Sequence, residues 1–506
     1  MRFPRRSGIL LHPTSLPSPY GIGDFGDGAY GFVDFLHQAG HQLWQLLPLN
    51  PTGYGDSPFQ CFSSIAGNPL LIALDRLSAQ GLLSQSDLAN HPDFPLAHVD
   101  FGAVFEFKVP MLTKAAQRFL NDKAGEREEF ESFCRISAGW LDDFALYMAC
   151  KHAHGGVTWT RWPAEIAARE PRALQEWSVR LAEQIEVIKF WQFEFFRQWQ
   201  ALRAYAHEHG VQIIGDIPIY VAHDSADVWA NREFFHLNTH GDPTSVAGVP
   251  PDYFAATGQL WGNPIYNWDR LKSTGYRWWV ERFRAALRLY DIVRIDHFRG
   301  FEAYWQVPAT DKTAENGRWI KGPGAELFSV MKAELGNLPI IAENLGVITP
   351  EVEQIRKQFG FPGMAILQFA FGIDPQGPTF RPHNYERNLV AYTGTHDNDT
   401  VVGWWNSTGA GDSVRTPEDV AKEHAFAREY LGFTNEPINW VLIRAVLASV
   451  ADTAIIPLPD VLGLGSEARM NLPGSSSGNW RWRLCPDALT PELAVSLQRL
   501  NRAYDR

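Results

Sequence analysis

Eight short apolar runs, spread along nearly the whole chain, limit what this sequence can fold into more than any other feature. They are SGILLHPTS (7–15), QLWQLLPL (42–49), VQIIGDIPIY (211–220), YDIVRIDHFRG (290–300), LPIIAENLG (338–346), GMAILQFAF (363–371), LVAYTGTHD (389–397) and TAIIPLPD (453–460). Their Val, Ile and Leu residues come in continuous stretches rather than alternating with polar ones, so strands built from them are buried on both faces. Such strands belong to parallel sheets, whose connections are helical crossovers. FGDGAYGFVDFLHQAG (25–40), between the first two runs, has helical spacing and a Gly at its end. The pattern predicts an α/β fold, a (β/α)8 barrel of the TIM type.

Three stretches modify that plan. Residues 65–195 carry helical patterning, as in FKVPMLTKAAQRFL and IEVIKFWQFEFFRQWQALRAYAHEHG, and are too long for a connector. They predict an inserted helical subdomain between the second and third strands of an otherwise single catalytic barrel spanning 1–506. Residues 246–264, VAGVPPDYFAATGQLWGNP, read as a loop stiffened by paired prolines, with Gly248, Gly258 and Gly262 permitting turns. Forty-six residues follow Asp460, which leaves no room for an appended β-sandwich domain.

Charge and cysteine usage narrow the partners. A net charge of −12 argues against nucleic acid, whose binding needs a basic footprint, and against an anionic membrane surface. Cys61, Cys134, Cys150 and Cys485 are scattered without a C-x-x-C pair, which is neither a disulfide framework nor a zinc signature. MRFPRRSGILLHPTS lacks the apolar core of a signal peptide, and no run approaches the ~20 residues of a membrane span. A cytoplasmic location is the expectation. Aromatic residues make up 13% of the chain, which suits either sugar faces or a large core built from large side chains.

In a barrel, functional groups gather at the C-terminal ends of the strands. There the runs supply Asp216, Asp296, Glu343 and Asp397. Four carboxylates around one mouth provide what glycosyl transfer requires, though the same set could hold a divalent metal. Arg294 and Asp296 are two apart on one strand and share a face. The guanidinium would keep Asp296 ionised as a nucleophile must be, or the two form a structural ion pair. Glu343 follows three apolar residues, a setting that raises a carboxyl pKa as a general acid needs; the alternative is a Glu bonded to backbone amides. His396 and Asp397 pair a donor with an acceptor suited to sugar hydroxyls, or else form an Asx-turn.

These local sequences resemble the amylomaltase (disproportionating enzyme) family of 4-α-glucanotransferases, relatives of the α-amylases. The resemblance runs nearly end to end. It is carried by GILLHPTSLPSPYGIGDFG, PTGYGDSPFQCFSSIAGNP, GDIPIYVAHDSADVW, VAGVPPDYFAATGQLWGNPIYNW, DIVRIDHFRGF, IIAENLG, TGTHDNDT and PLPDVLGLGSEARMNLPG, in that order. It implies a retaining mechanism with Asp296 as nucleophile, Glu343 as acid/base and Asp397 as a third carboxylate gripping the sugar, with no metal and no organic cofactor. The partners it implies are an α-1,4-glucan donor and a glucose or malto-oligosaccharide acceptor. Residues 246–264 match the family's loop over the cleft, with Tyr253, Phe254 and Trp261 offered to sugars, although as bare sequence an aromatic-rich loop could equally be packed onto the barrel. Arg294, His396 and Asp216 fall among the binding residues, Tyr54 matches a glucan-binding position, and Phe59 stands where relatives often carry Tyr. The nearest rival is an α-amylase-like retaining hydrolase using the same three carboxylates. More distant are a glucan-binding protein without catalysis and a metal-dependent sugar isomerase drawing on His297 and His396.

Overall fold

The structure, a computed structural model, describes residues 3–122, 127–251, 257–372, 374–409, 415–475 and 477–506. Each of the eight apolar runs supplies one strand of a single parallel sheet. In chain order these are Arg6–Leu10, Leu43–Gln45, Gln212–Pro218, Ile292–Asp296, Ile340–Ala342, Gly363–Ile366, Leu389–Tyr392 and Thr453–Pro457. Neighbours in the chain are neighbours in the sheet, and the eighth strand pairs with the first. The fifth and sixth strands meet through Ala342 N–H to Pro362 O at 2.9 Å and Met364 N–H to the Asn344 side-chain oxygen at 2.8 Å. The sheet closes into a barrel, which leaves no long edge to template unwanted pairing.

Side-chain volume is fitted tightly around this barrel. A Cβ on Gly215, inside the third strand, would lie 2.1 Å from the Tyr290 ring, so only glycine lets that ring pack against the strand. The first helix runs Asp27–Gln38 and buries Ala29, Phe32, Val33 and Leu36, the i, i+3, i+4 and i+7 positions of one face. Gly40, at φ 74°, lets the chain turn back into the second strand.

Between the second and third strands the chain forms long helices over Phe101–Asp122, Arg127–Ala153 and Ala182–Glu208, with shorter ones among them. The last passes position 195 and serves as the crossover into the third strand. Phe195 and Trp199 pack on Phe25 at 5.3 and 5.1 Å, and Trp199 donates its indole N–H to Leu289 O. The helices therefore share a core with the barrel. A buried ion pair joins them: Lys108 Nζ lies 3.0 Å from Asp24 Oδ2 and 2.7 Å from Leu70 O.

Residues 246–264 differ from the expected loop. Ser245–Val249 and Gln259–Pro264 pair as antiparallel strands within a four-stranded sheet completed by Ala303–Pro308 and Arg318–Lys321. Pairing to Ala303–Pro308, more than fifty residues on, satisfies backbone groups that local sequence left open. Tyr253 and Phe254 lie outside the described residues. Beyond Pro457 the described residues contribute helices Leu458–Leu462 and Pro491–Ala503 and no strand. No described helix is long and apolar enough to cross a membrane.

Candidate active site

The fourth strand carries both Arg294 and Asp296, and its pleat turns them to one side. Arg294 donates through one nitrogen to Asp216 Oδ2 at 2.5 Å and through the other to Asp296 Oδ1 at 2.8 Å. Arg294 and Asp216 are buried, whereas the Asp296 side chain keeps 30% of its surface open. The guanidinium thus sits between a sealed carboxylate and an open one. Asp216 lies inside its strand rather than at the strand end, so it reaches the mouth through Arg294. Burial pushes its carboxyl up and Arg294 opposes that shift. Desolvation works against Arg294 as well, but the two carboxylates outweigh it and hold the guanidinium charged.

Glu343 directly follows the fifth strand. Its carboxylate accepts backbone N–H bonds from His297 and Leu345, both at 2.7 Å. The backbone-amide arrangement is therefore real, and it does not make the residue an ordinary acid. Burial and the nearby Asp296 charge raise the carboxyl from 4.5 to about 7, against the lowering by Arg294 and the two amides. His297 adopts a left-handed φ of 53°, a conformation that costs about 1–3 kcal/mol for a residue with a Cβ. The turn it makes also directs the Phe298 N–H to Glu343 O, so the fourth strand and the Glu343 loop are bound together.

Asp397 stands five residues past the seventh strand, with its side chain 44% exposed. Asn471 donates to its Oδ1 at 2.7 Å, and Arg469 donates to its backbone oxygen at 2.8 Å. It is Asn398, not Asp397, that closes the local turn, by accepting from Thr395. His396 lies 3.4 Å from Asp397, and burial lowers its pKa, leaving it a neutral ring.

Aromatic side chains border these groups. Phe59 stacks on His396 with centroids 5.0 Å apart and rings 16° from parallel, and Trp480 packs beside both at 5.8 and 5.9 Å. Trp261 meets His297 edge-on at 4.7 Å, next to the end of the fourth strand. Tyr54 shares a loop with Phe59 but points outward, 83% exposed. The structure thus gathers Arg294, Asp296, Glu343, His396, Asp397, Phe59 and Trp261, and sets Tyr54 apart.

Sequence reasoning missed Asn471, Arg469 and Trp480. They fall in or just after the SEARMNLPG stretch, whose residues carry no strand-end acid to draw notice. It offered backbone amides on Glu343 as an alternative but did not identify them as those of His297 and Leu345, because a backbone N–H leaves no mark in side-chain identity. Among the described residues no group of three His, Cys, Asp or Glu side chains is arranged to hold a metal. The charge between Asp216 and Asp296 is instead supplied by Arg294.

A closed parallel barrel with an arginine-paired aspartate, a carboxyl of raised pKa and a third acidic side chain at its mouth defines an enzyme class that works on glycosidic bonds. Within that class, residues 11–489 match the family described as 4-alpha-glucanotransferase. The chain is 53% identical over 99% of its length to a 4-alpha-glucanotransferase of Synechocystis, covering 98% of that protein. It is 51% identical to the Thermus thermophilus 4-alpha-glucanotransferase, with full coverage of both. The solved amylomaltase of Streptococcus agalactiae in complex with acarbose superposes with a TM-score of 0.93 at 41% identity, covering 99% of each chain. The chain belongs to the 4-alpha-glucanotransferase family, whose members transfer glycosyl segments of α-1,4-glucans.

Proposed function

We propose that Asp296 is the nucleophile, Glu343 the acid/base and Asp397 the group that grips the sugar in a two-step transfer. In the first step an Asp296 oxygen bonds to the anomeric carbon as the glycosidic C–O bond breaks. The Glu343 proton passes to the departing 4-oxygen, and the donor fragment is left as a glycosyl ester on Asp296. In the second step the acceptor's 4-hydroxyl gives its proton to the Glu343 carboxylate and attacks the anomeric carbon, releasing Asp296. Two inversions retain the α configuration.

The observation that carries this reading is the contrast between the two carboxyls. Asp296 is partly open and bound to a guanidinium, while Glu343 is buried and holds its proton up to about pH 7. An open carboxylate braced by a guanidinium, beside a buried carboxyl that keeps its proton, is what a nucleophile and an acid require. Asp397, held by Asn471, is the third carboxylate, and neutral His396 can donate to a hydroxyl beside it. Arg294 and Asp216 support Asp296 from below. Phe59 and Trp261 offer faces to sugar rings, as Tyr253 and Phe254 do on the resemblance alone, and the segment 246–264 limits the access of water. Tyr54 is a separate outward contact for glucan. The reading involves no metal, organic cofactor or obligate protein partner. The partners are an α-1,4-glucan donor and a glucose or malto-oligosaccharide acceptor. Four unpaired cysteines support a reducing compartment, the cytoplasm.

Incubation with maltotriose tests the activity: a ladder of longer oligosaccharides plus glucose is expected, whereas shorter products alone mean hydrolysis. A fluorinated α-glucosyl donor tests the nucleophile and should label Asp296. A label on Glu343 or Asp397 overturns the assignment.

A further inference from the structure

Among the described residues, few large aromatic side chains are exposed, and Trp319 is one of them at 39%. It lies on Arg318–Lys321, the edge strand of the four-stranded sheet. Its indole is fixed on two sides. The Arg299 guanidinium lies 3.8 Å from the ring centroid, and Trp305, its cross-strand partner, abuts it at 5.2 Å and 66°. Arg299 is itself buried and donates to Val347 O. The Val347 side chain is 57% exposed.

The position of this pair relative to the reaction follows from the chain. Arg299 is three residues after Asp296, and Val347 is four after Glu343. At no more than ~3.6 Å per residue, both backbone positions lie within about 15 Å of the catalytic carboxylates. The two loops are joined by the His297 and Phe298 amides bonded to Glu343. The exposed indole therefore rests on the same turn that holds the nucleophile and the acid/base together.

We propose that Trp319, with Val347 beside it, is a carbohydrate platform that takes a glucose ring of a long α-1,4-glucan, beyond the sugars held at the carboxylates. The inference rests on the reading of the site as a glucanotransferase centre. A pyranose presents a face of C–H groups that packs on a flat aromatic ring, and covering an exposed indole removes apolar surface from water. Because Arg299 and Trp305 already fix the ring, little side-chain freedom is lost when sugar binds. A polymer held at the carboxylates has further glucose rings to lay on the indole, whereas a trisaccharide has none to spare. Its effect is a preference for longer chains.

The test compares maltotriose with maltodecaose as substrates of Trp319→Leu and Trp319→Phe. In Trp319→Leu, KM for maltodecaose should rise about threefold to tenfold, the range for loss of one aromatic contact. Its kcat and KM for maltotriose should stay within twofold of the parent. Trp319→Phe keeps a flat ring over Arg299 and should recover most of the maltodecaose affinity. Equal losses with both substrates in either variant would mean that Trp319 acts by holding Arg299 and the Glu343 loop, and would overturn the proposal. An unchanged KM for maltodecaose in both variants overturns it as well. Failure of the parent protein to transfer from maltotriose is a different result, and refutes the transferase reading instead.

Discussion

Replacing Glu343 by Gln should abolish most activity and yet make the protein more stable at alkaline pH relative to acid. Burial and the Asp296 charge raise the folded-state carboxyl from 4.5 to about 7. A carboxyl whose pKa is higher when folded binds its proton more tightly in the folded state. Its favourable contribution is complete below about pH 4.5 and is lost as pH rises to 7. Each pH unit of that window is worth about 1.4 kcal/mol, so the ionised Glu343 costs about 3 kcal/mol at pH 8. Gln has no such titration. It brings a fixed penalty, since its NH2 cannot accept one of the two N–H bonds from His297 and Leu345, but that penalty is the same at every pH. The quantity to measure is therefore how the Tm difference between variant and parent changes with pH. An unfolding entropy near 2.1 cal/mol/K per residue gives roughly 1 °C per kcal/mol for a chain of 506 residues. Scanning calorimetry at pH 4.5 and pH 8 should show the difference moving by about 3 °C in the variant's favour. A difference that is flat with pH, or moves the other way, would mean that Glu343 titrates like an ordinary carboxyl, and its role as the proton donor at neutral pH would fall.

Three further outcomes follow from the same contacts. Asn471→Ala removes the donor to Asp397 Oδ1 and should lower kcat about tenfold or more, as expected for a hydrogen bond to a charged group, with Tm within about 2 °C of the parent; an unchanged kcat would show that Asp397 needs no such support. Trp261→Ala opens the edge contact with His297 and should raise the ratio of free reducing ends to transferred fragments from maltotriose, and an unchanged ratio would show that the ring plays no part in keeping water out. Lys108→Met leaves Asp24 buried without its ion partner and should cost about 3–5 kcal/mol, read as a fall in Tm, while Asp24→Leu added to it should restore most of the loss; a neutral single variant would refute the pairing.

The barrel was legible in the sequence because doubly buried strands must be continuously apolar, a local property that each of the eight runs displays without reference to the others. Asp296 and Glu343 were legible for a related reason: an acid at the end of such a run has few places to go except the barrel mouth. The Arg294 pairing with Asp296 needed only the period of a strand. What the sequence alone could not show was any contact made between distant segments. Residues 246–264 read as a loop, since the strand Ser245–Val249 is held to Ala303–Pro308 by backbone bonds whose partners lie far along the chain. Asp216 read as a strand-end group, and its burial under Arg294 depends on how the third and fourth strands register. Asn471 reaches Asp397 across 74 residues, and one of the amides on Glu343 comes from a left-handed turn at His297, a backbone conformation uncommon outside glycine. Local patterning determined the strands and named the acids; the packed structure decided which acid keeps its proton, because desolvation and neighbouring charge exist only once those strands have closed on one another.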